Sequence, residues 1–192
     1  AQMPDGTTAG GNARGQYATD WQKSRTANTQ VASGNNSTIG GGNRNTASGE
    51  DSTVSGGDLN TANALRATVG GGYNNTASDE YATVGGGQSN TVSGDNATVA
   101  GGNGNTASGG TSFVGGGTNN NTTSPFDTVS GGQNNTASGL RSFVGGGNNN
   151  TASGGNSTVG GGTSNTASGS RSIVGGGDTN TASDEYATVG GG

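Results

Sequence analysis

The chain has 192 residues, 44 of them glycine and two proline; 24% are hydrophobic, 4% aromatic and 10% charged, with a formal net charge of −5. An ordinary domain carries roughly twice that apolar and charged content, which excludes a conventional single-core enzyme domain. No cysteine or histidine is present, so disulfides, thiolate chemistry, the usual general base and the commonest metal ligand are all missing.

The acidic balance argues against nucleic acid as a partner. No apolar run approaches the ~20 residues that span a membrane, and no secretory segment opens the chain. Low apolar content alone would suggest disorder, but disordered chains are usually rich in charge or proline, and this one is neither.

Taken in chain order, residues 1–30 read as a degenerate coil. Ala13, Gly15, Ala18 and Thr19 align, at one constant offset, with Ala32, Gly34, Ser37 and Thr38. That offset exceeds the period of the repeat that follows, and the extra residues fall around Trp21, Gln22 and Lys23. An irregular first coil bearing the only tryptophan, Trp21, suits either a cap that plugs the end of a rod or a segment that docks into a larger particle.

Residues 31–192 are a repeat. Ile39, Val54, Val69, Val84, Val99, Val114, Val129, Val144, Val159, Val174 and Val189 follow one another at a fixed 15-residue spacing, without insertion or deletion. After one further small residue, Gly-Gly follows each of them. An asparagine recurs at Asn45, Asn60, Asn75, Asn90, Asn105, Asn120, Asn135, Asn150, Asn165 and Asn180, and a small residue follows two places later. The consensus is (S/A)-T-V-G-G-G-x-x-N-T-A-S-G-x-x. This period is too short for a helical hairpin, which needs roughly 30 residues or more. Ser-Thr-Val and Asn-Thr-Ala-Ser read as two short strands, and the glycine-containing segments as two turns in which glycine supplies positive φ. The expected fold is therefore all-β, a parallel β-solenoid of 15-residue coils stacked about 4.8 Å apart, roughly 50 Å long.

Most charges occupy the variable turn slots, with Tyr73, Tyr81, Phe126 and Tyr186 beside them; these aromatics are candidate surface contacts for a receptor or glycan. The asparagine column would stack like on like as an amide ladder. A core one valine and one alanine wide in each coil is thin against the backbone entropy of ordering the whole coil. Phe113, Phe143 and Ile173 interrupt the threonine column beside the valines. They mark a second apolar face, expected to be an interface between chains.

Segments such as TVGGGYNNTASDEYA and FVGGGNNNTASGGNS resemble the YadA-type head repeats of trimeric autotransporter adhesins, over roughly residues 30 to 192. The resemblance implies a left-handed parallel β-roll in a homotrimer. The triple glycine and the period depart from the family's pattern, whose usual repeat is slightly shorter, and no coiled-coil stalk or membrane anchor is seen in this sequence. The opening GNARGQYATDWQKSRTANTQVASG is similar to a segment that precedes such repeats in phage-encoded fibre-like proteins. The expectation is a non-enzymatic fibre rod without cofactors, set in a phage virion as part of a tail fibre for host attachment. Its N-terminus would dock to a virion or surface component. The alternative is the adhesin head of a bacterial cell surface. The chain stops at Gly192 in mid-repeat, so either the gene product continues or a partner covers that end.

Other chemistry is weaker. The acidic pairs Asp79-Glu80 and Asp184-Glu185 lie in identical segments seven coils apart. That is more than about 30 Å along such a rod, too far for a glycosidase dyad. Calcium-binding solenoids need an aspartate in every turn, and no Gly-Lys-Ser/Thr follows any glycine run. The Asn-x-Ser/Thr sequons at Asn74, Asn134, Asn149 and Asn156 fall out of the repeat. Two regular threonine columns open a function of another class, ice binding.

Overall fold

The computed structural model describes residues 14–192. The first thirteen residues of the N-terminal segment, Ala13 among them, lie outside the described residues. The chain winds as a parallel β-solenoid in which each regular coil contributes two strands of two residues. Twelve strands, from Thr19–Asp20 to Thr188–Val189, form one parallel sheet; ten, from Thr46–Ala47 to Thr181–Ala182, form a second. Thr38 pairs with Thr53 and Ile39 with Val54, and the same 15-residue step runs on to Val174 and Val189. The first step is longer: Thr19 pairs with Thr38 and Asp20 with Ile39, which is the offset visible in the sequence.

Alternation within each strand decides what is inside, because successive side chains point to opposite faces. In the first sheet the threonine faces out while Ile39, Val54 and the valines through Val174 are fully buried; Val189 is partly buried. In the second sheet Ala47, Ala62 and their successors fill the other half of the interior. A third column of single parallel bridges runs Asn43, Asp58, Tyr73, Gln88 and on to Asp178. The first turn of each coil is thus itself a ladder, which the two-strand reading did not anticipate.

The asparagine column is the polar spine. Each amide donates to two glycine carbonyls, one in its own coil and one in the next, as Asn90 Nδ2 does to Gly86 O and Gly102 O at 2.9 Å each. Its Oδ1 accepts the backbone N–H of the next asparagine, as from Asn105 at 2.9 Å. The expected ladder is therefore built mainly between side chain and backbone. Direct amide-to-amide contacts are confined to Asn75–Asn60 and Asn180–Asn165, both at 3.2 Å. The last glycine of each triplet closes this arrangement. At Gly72, where φ is +93°, an added Cβ would lie 2.1 Å from the carbonyl oxygen of Gly87, so no side chain fits.

Glycine does not supply the positive φ everywhere. In both turns the left-handed residue is the second variable one, usually not glycine: Arg44, Leu59 and Asn74 in the first turn, Asp51, Arg66 and Tyr81 in the second.

Among the described residues the first coil places a charge, not an aromatic, inside the core. Asp20 stands in the valine column, 2% exposed. It faces Arg25 at 2.9 Å and Arg14 at 3.6 Å and accepts the N–H of Ala32. Gln22 replaces the missing asparagine: its Oε1 accepts the N–H of Asn45 at 2.8 Å, and its amide donates to the carbonyls of Gln30 and Asn45. Trp21 donates its backbone N–H to Ile39 O, but its side chain is half exposed. Among the described residues the first inward position of the valine column is held by Asp20, with Trp21 beside it half exposed.

Candidate functional site

A solenoid of small buried residues offers function only on its outside, which here comprises two sheet faces and two turn edges. The face of the first sheet carries the threonine column from Thr38 to Thr188, interrupted by Phe113, Phe143 and Ile173. All three are exposed, at 40%, 38% and 43%. They fall in every second coil, with Thr128 and Thr158 between them. The rings of Phe113 and Phe143 lie along their own strands over Gly115 and Gly145, so the face beside them is flat. The face of the second sheet is largely hydroxyl-bearing, with threonines from Thr46 to Thr181 interrupted at Asn121. A second outward column there runs from Ser48 to Ser183.

The four aromatics singled out in the sequence do not share one edge. Tyr73 belongs to the bridge ladder of the first turn. Tyr81, Phe126 and Tyr186 occupy the left-handed position of the second turn, on the opposite edge. Each of these three is stacked with an arginine one coil away: Arg66 over Tyr81 at 5.4 Å, Arg141 over Phe126 at 5.4 Å and Arg171 over Tyr186 at 5.2 Å. Side chains in one turn column sit about 4.8 Å apart, so any guanidinium and ring in adjacent coils meet face to face. Sequence reading missed these pairs, although the 15-residue spacing of Arg66 and Tyr81 was the available signal.

Three of the edge arginines are paired with a carboxylate. Arg44 binds Asp58 through both ends of its guanidinium, and that hydrogen bonding raises its pKa. Arg66 donates to the Tyr81 hydroxyl at 2.7 Å and lies 3.4 Å from Asp51; the hydroxyl is the larger cause of its raised pKa. Arg171 reaches Tyr186 at 2.7 Å and Glu185 at 3.2 Å.

One coil departs from the pattern inside. Thr122 stands in the alanine column and donates its hydroxyl to Ser112 Oγ at 2.9 Å. Asp127 is fully buried in the column that elsewhere holds serine or alanine. Its carboxylate accepts the N–H and hydroxyl of Ser142, both at 2.9 Å, and the N–H of Ser124 at 2.8 Å. Burial pushes the Asp127 pKa up, and these hydrogen bonds oppose it. The apolar core runs from Ala32 to Val114 and resumes at Val129.

No family model matches the sequence, and no curated protein matches it significantly. Among the described residues no group of three or more aspartate or glutamate side chains is placed to hold a metal ion, and no helix is long and apolar enough to cross a membrane. The candidate sites are therefore surfaces: the apolar stripe of the first sheet, the hydroxyl face of the second, and the arginine–aromatic edge.

Proposed function

We propose that the chain is a non-enzymatic structural rod that assembles side by side, as a homotrimer, into a fibre segment of a phage virion that serves host attachment. The observation that carries this reading is the stripe of Phe113, Phe143 and Ile173. Three large apolar side chains stand exposed in alternate coils of one face whose other outward positions are threonine or small, and clustered exposed apolar side chains favour a protein contact. The thinness of the core supports it, since a partner on this face would add the apolar burial that each coil lacks. Residues 14–30 suit the base of such a rod, where the Asp20 cluster holds the first described position of the valine column and leaves Trp21 half exposed for docking.

Sedimentation equilibrium tests the assembly. A trimer is expected, and replacing Phe113, Phe143 and Ile173 together by threonine, the residue of neighbouring coils, is expected to give a folded monomer. A folded wild-type monomer sinks the reading. Immunogold labelling of whole particles and cells separates the virion fibre from the bacterial adhesin head, the second setting. The hydroxyl-rich face of the second sheet favours one reading of another class, ice binding. Absence of thermal hysteresis in a concentrated solution removes it.

A further inference from the structure

The edge formed by the second turn carries its acidic residues in two groups, with an acid-free stretch between them. Its first part carries Glu50, Asp51, Asp79, Glu80 and Asp95 with a single arginine, Arg66. Between Asp95 and Asp178 the only acidic residue is Asp127, which is buried, while Arg141 and Arg171 sit on the edge. Asp184 and Glu185 close the edge at its far end, Glu185 against Arg171, so the acid-free stretch is the middle of the rod, around Arg141.

Two oppositely charged sets lie symmetrically about one turn of this edge. Tyr81 and Arg141 each lie two coils from Thr111, on opposite sides of it, with Glu80 directly before Tyr81. Asp51 and Arg171 each lie four coils from Thr111, with Glu50 directly before Asp51. A twofold axis through the Gly110-Thr111 turn would therefore set Arg141 of one copy against Glu80 of another, and Arg171 against Glu50-Asp51. Both contacts would recur on the far side of the axis. The turn at the axis is small: an added Cβ on Gly110 would meet only Asp95 O, at 3.7 Å, so two edges can approach there.

The individual side chains point the same way. Arg66 and Arg171 already hold a carboxylate from their own chain, whereas Arg141 has none beside it among the described residues. Its guanidinium lies over the Phe126 ring, 5.4 Å from its centre, and that ring has no hydroxyl to accept a hydrogen bond as the tyrosines do. A guanidinium oriented in this way presents a fork suited to a carboxylate. Among the described residues the carboxylates of Glu80 and Asp95 likewise have no cation beside them. Arg141 and Phe126 also sit at φ of 60° and 63° in a column where Asn36, Asn96 and Asn156 adopt the same backbone. Asparagine tolerates that region, and bulky side chains do not gain from it.

We infer that this edge is a self-complementary contact between two copies of the chain running antiparallel, centred on Thr111, with Arg141 facing Glu80 and Arg171 facing Glu50-Asp51. Such an isologous contact uses the same patch on both partners. It is made by the turn edge and not by the first-sheet face, so it joins whatever unit that face forms, monomer or trimer, into laterally paired rods.

Charge reversal within the intact chain tests it. At low salt, about 20 mM, sedimentation velocity should show an association step that disappears at about 500 mM, where screening is nearly complete within one contact distance. Arg141→Glu and Glu80→Arg should each weaken that step on the order of tenfold or more, and the two together in one chain should restore it, since each copy then offers the opposite sign to its partner. A Thr111→Cys chain, otherwise free of cysteine, should cross-link to itself on mild oxidation, while Asn156→Cys should not. The high-salt species reports the first-sheet assembly and the salt-sensitive step reports the edge, so failure of one is read separately from the other. No salt-sensitive step, single reversals without effect, or a double reversal that stays dissociated while circular dichroism is unchanged overturns the inference.

Discussion

The coil from Asn75 to Val84 and the coil from Asn120 to Val129 share one register but not one interior. The first buries Ala77 and Ala82; the second buries Thr122 and Asp127 at the same places, together with the unpartnered Oδ1 of Asn121. The backbone nevertheless does not shift: Asn90 donates its N–H to Asn75 Oδ1, and Asn135 to Asn120 Oδ1, both at 2.9 Å. The difference teaches that the polar spine and the inter-coil ladders hold the register, and that the apolar interior sets how much stability each coil contributes. Because each coil contacts only its neighbours, a defect of this kind stays local.

The sharpest way to break the comparison is a charge in the valine column. Val84→Asp buries an unpaired carboxylate in the regular coil and is expected to cost more than about 4 kcal/mol, melting the adjacent coils. Val129→Asp, beside an interior already polar, should cost less. Circular dichroism melts of the two variants read the gap, and equal losses would mean that Thr122 and Asp127 do not soften their surroundings.

Removal of the spine should treat both coils alike. Asn75→Ala and Asn120→Ala each strand one glycine carbonyl, Gly71 or Gly116, and one backbone N–H, and take one of two donors from a second carbonyl, a loss of about 3 kcal/mol in either case. A clearly smaller effect at Asn120 would show that the irregular coil is held by something other than its asparagine.

Asp127→Ala restores the alanine found at Ala82 and should stabilise the chain at neutral pH by about 1 kcal/mol, because a buried carboxylate is exchanged for an apolar side chain. The sign of the pH dependence follows from its raised pKa. At low pH the carboxyl is protonated in both states and its burial costs least. As pH rises the unfolded chain ionises first, so stability falls until the folded carboxyl ionises too, and is flat beyond. Melting temperatures of wild type and variant between about pH 3 and pH 7 should therefore diverge as pH rises, and parallel curves would contradict the assignment. The smallest effect belongs to Thr122→Ala, within about 0.5 kcal/mol, because regular coils already leave Ser52, Ser157 and Ser172 Oγ without a partner.

The long first step was legible because Gly15, Ala18 and Thr19 repeat the spacing of Gly34, Ser37 and Thr38, and the valine and asparagine columns because uniform spacing in a solenoid is uniform position in space. The role of Trp21 was not legible. Whether a bulky residue or a charge takes the first described inward position depends on which side chain alternation turns inward, and the turn of the chain after Thr19 makes it Asp20. The arginine–aromatic pairs of the candidate edge were visible as one-coil spacings, but the separation of Tyr73 from Tyr81, Phe126 and Tyr186 was not. Two turns of similar composition lie on opposite edges, and only the path of the coil distinguishes them.

The repeat by itself determined the fold class, the parallel register and which columns face inward, since a strict period with no insertion leaves stacking as the one arrangement that pairs every strand. The tertiary structure alone decided where the asparagine hydrogen bonds go, which turn residues take positive φ, and how Asp20 and Asp127 are held inside. Those outcomes depend on partners in the neighbouring coil, well separated along the chain. Sequence spacing fixes such distances only to the nearest coil, whereas hydrogen bonding fixes them to a fraction of an ångström.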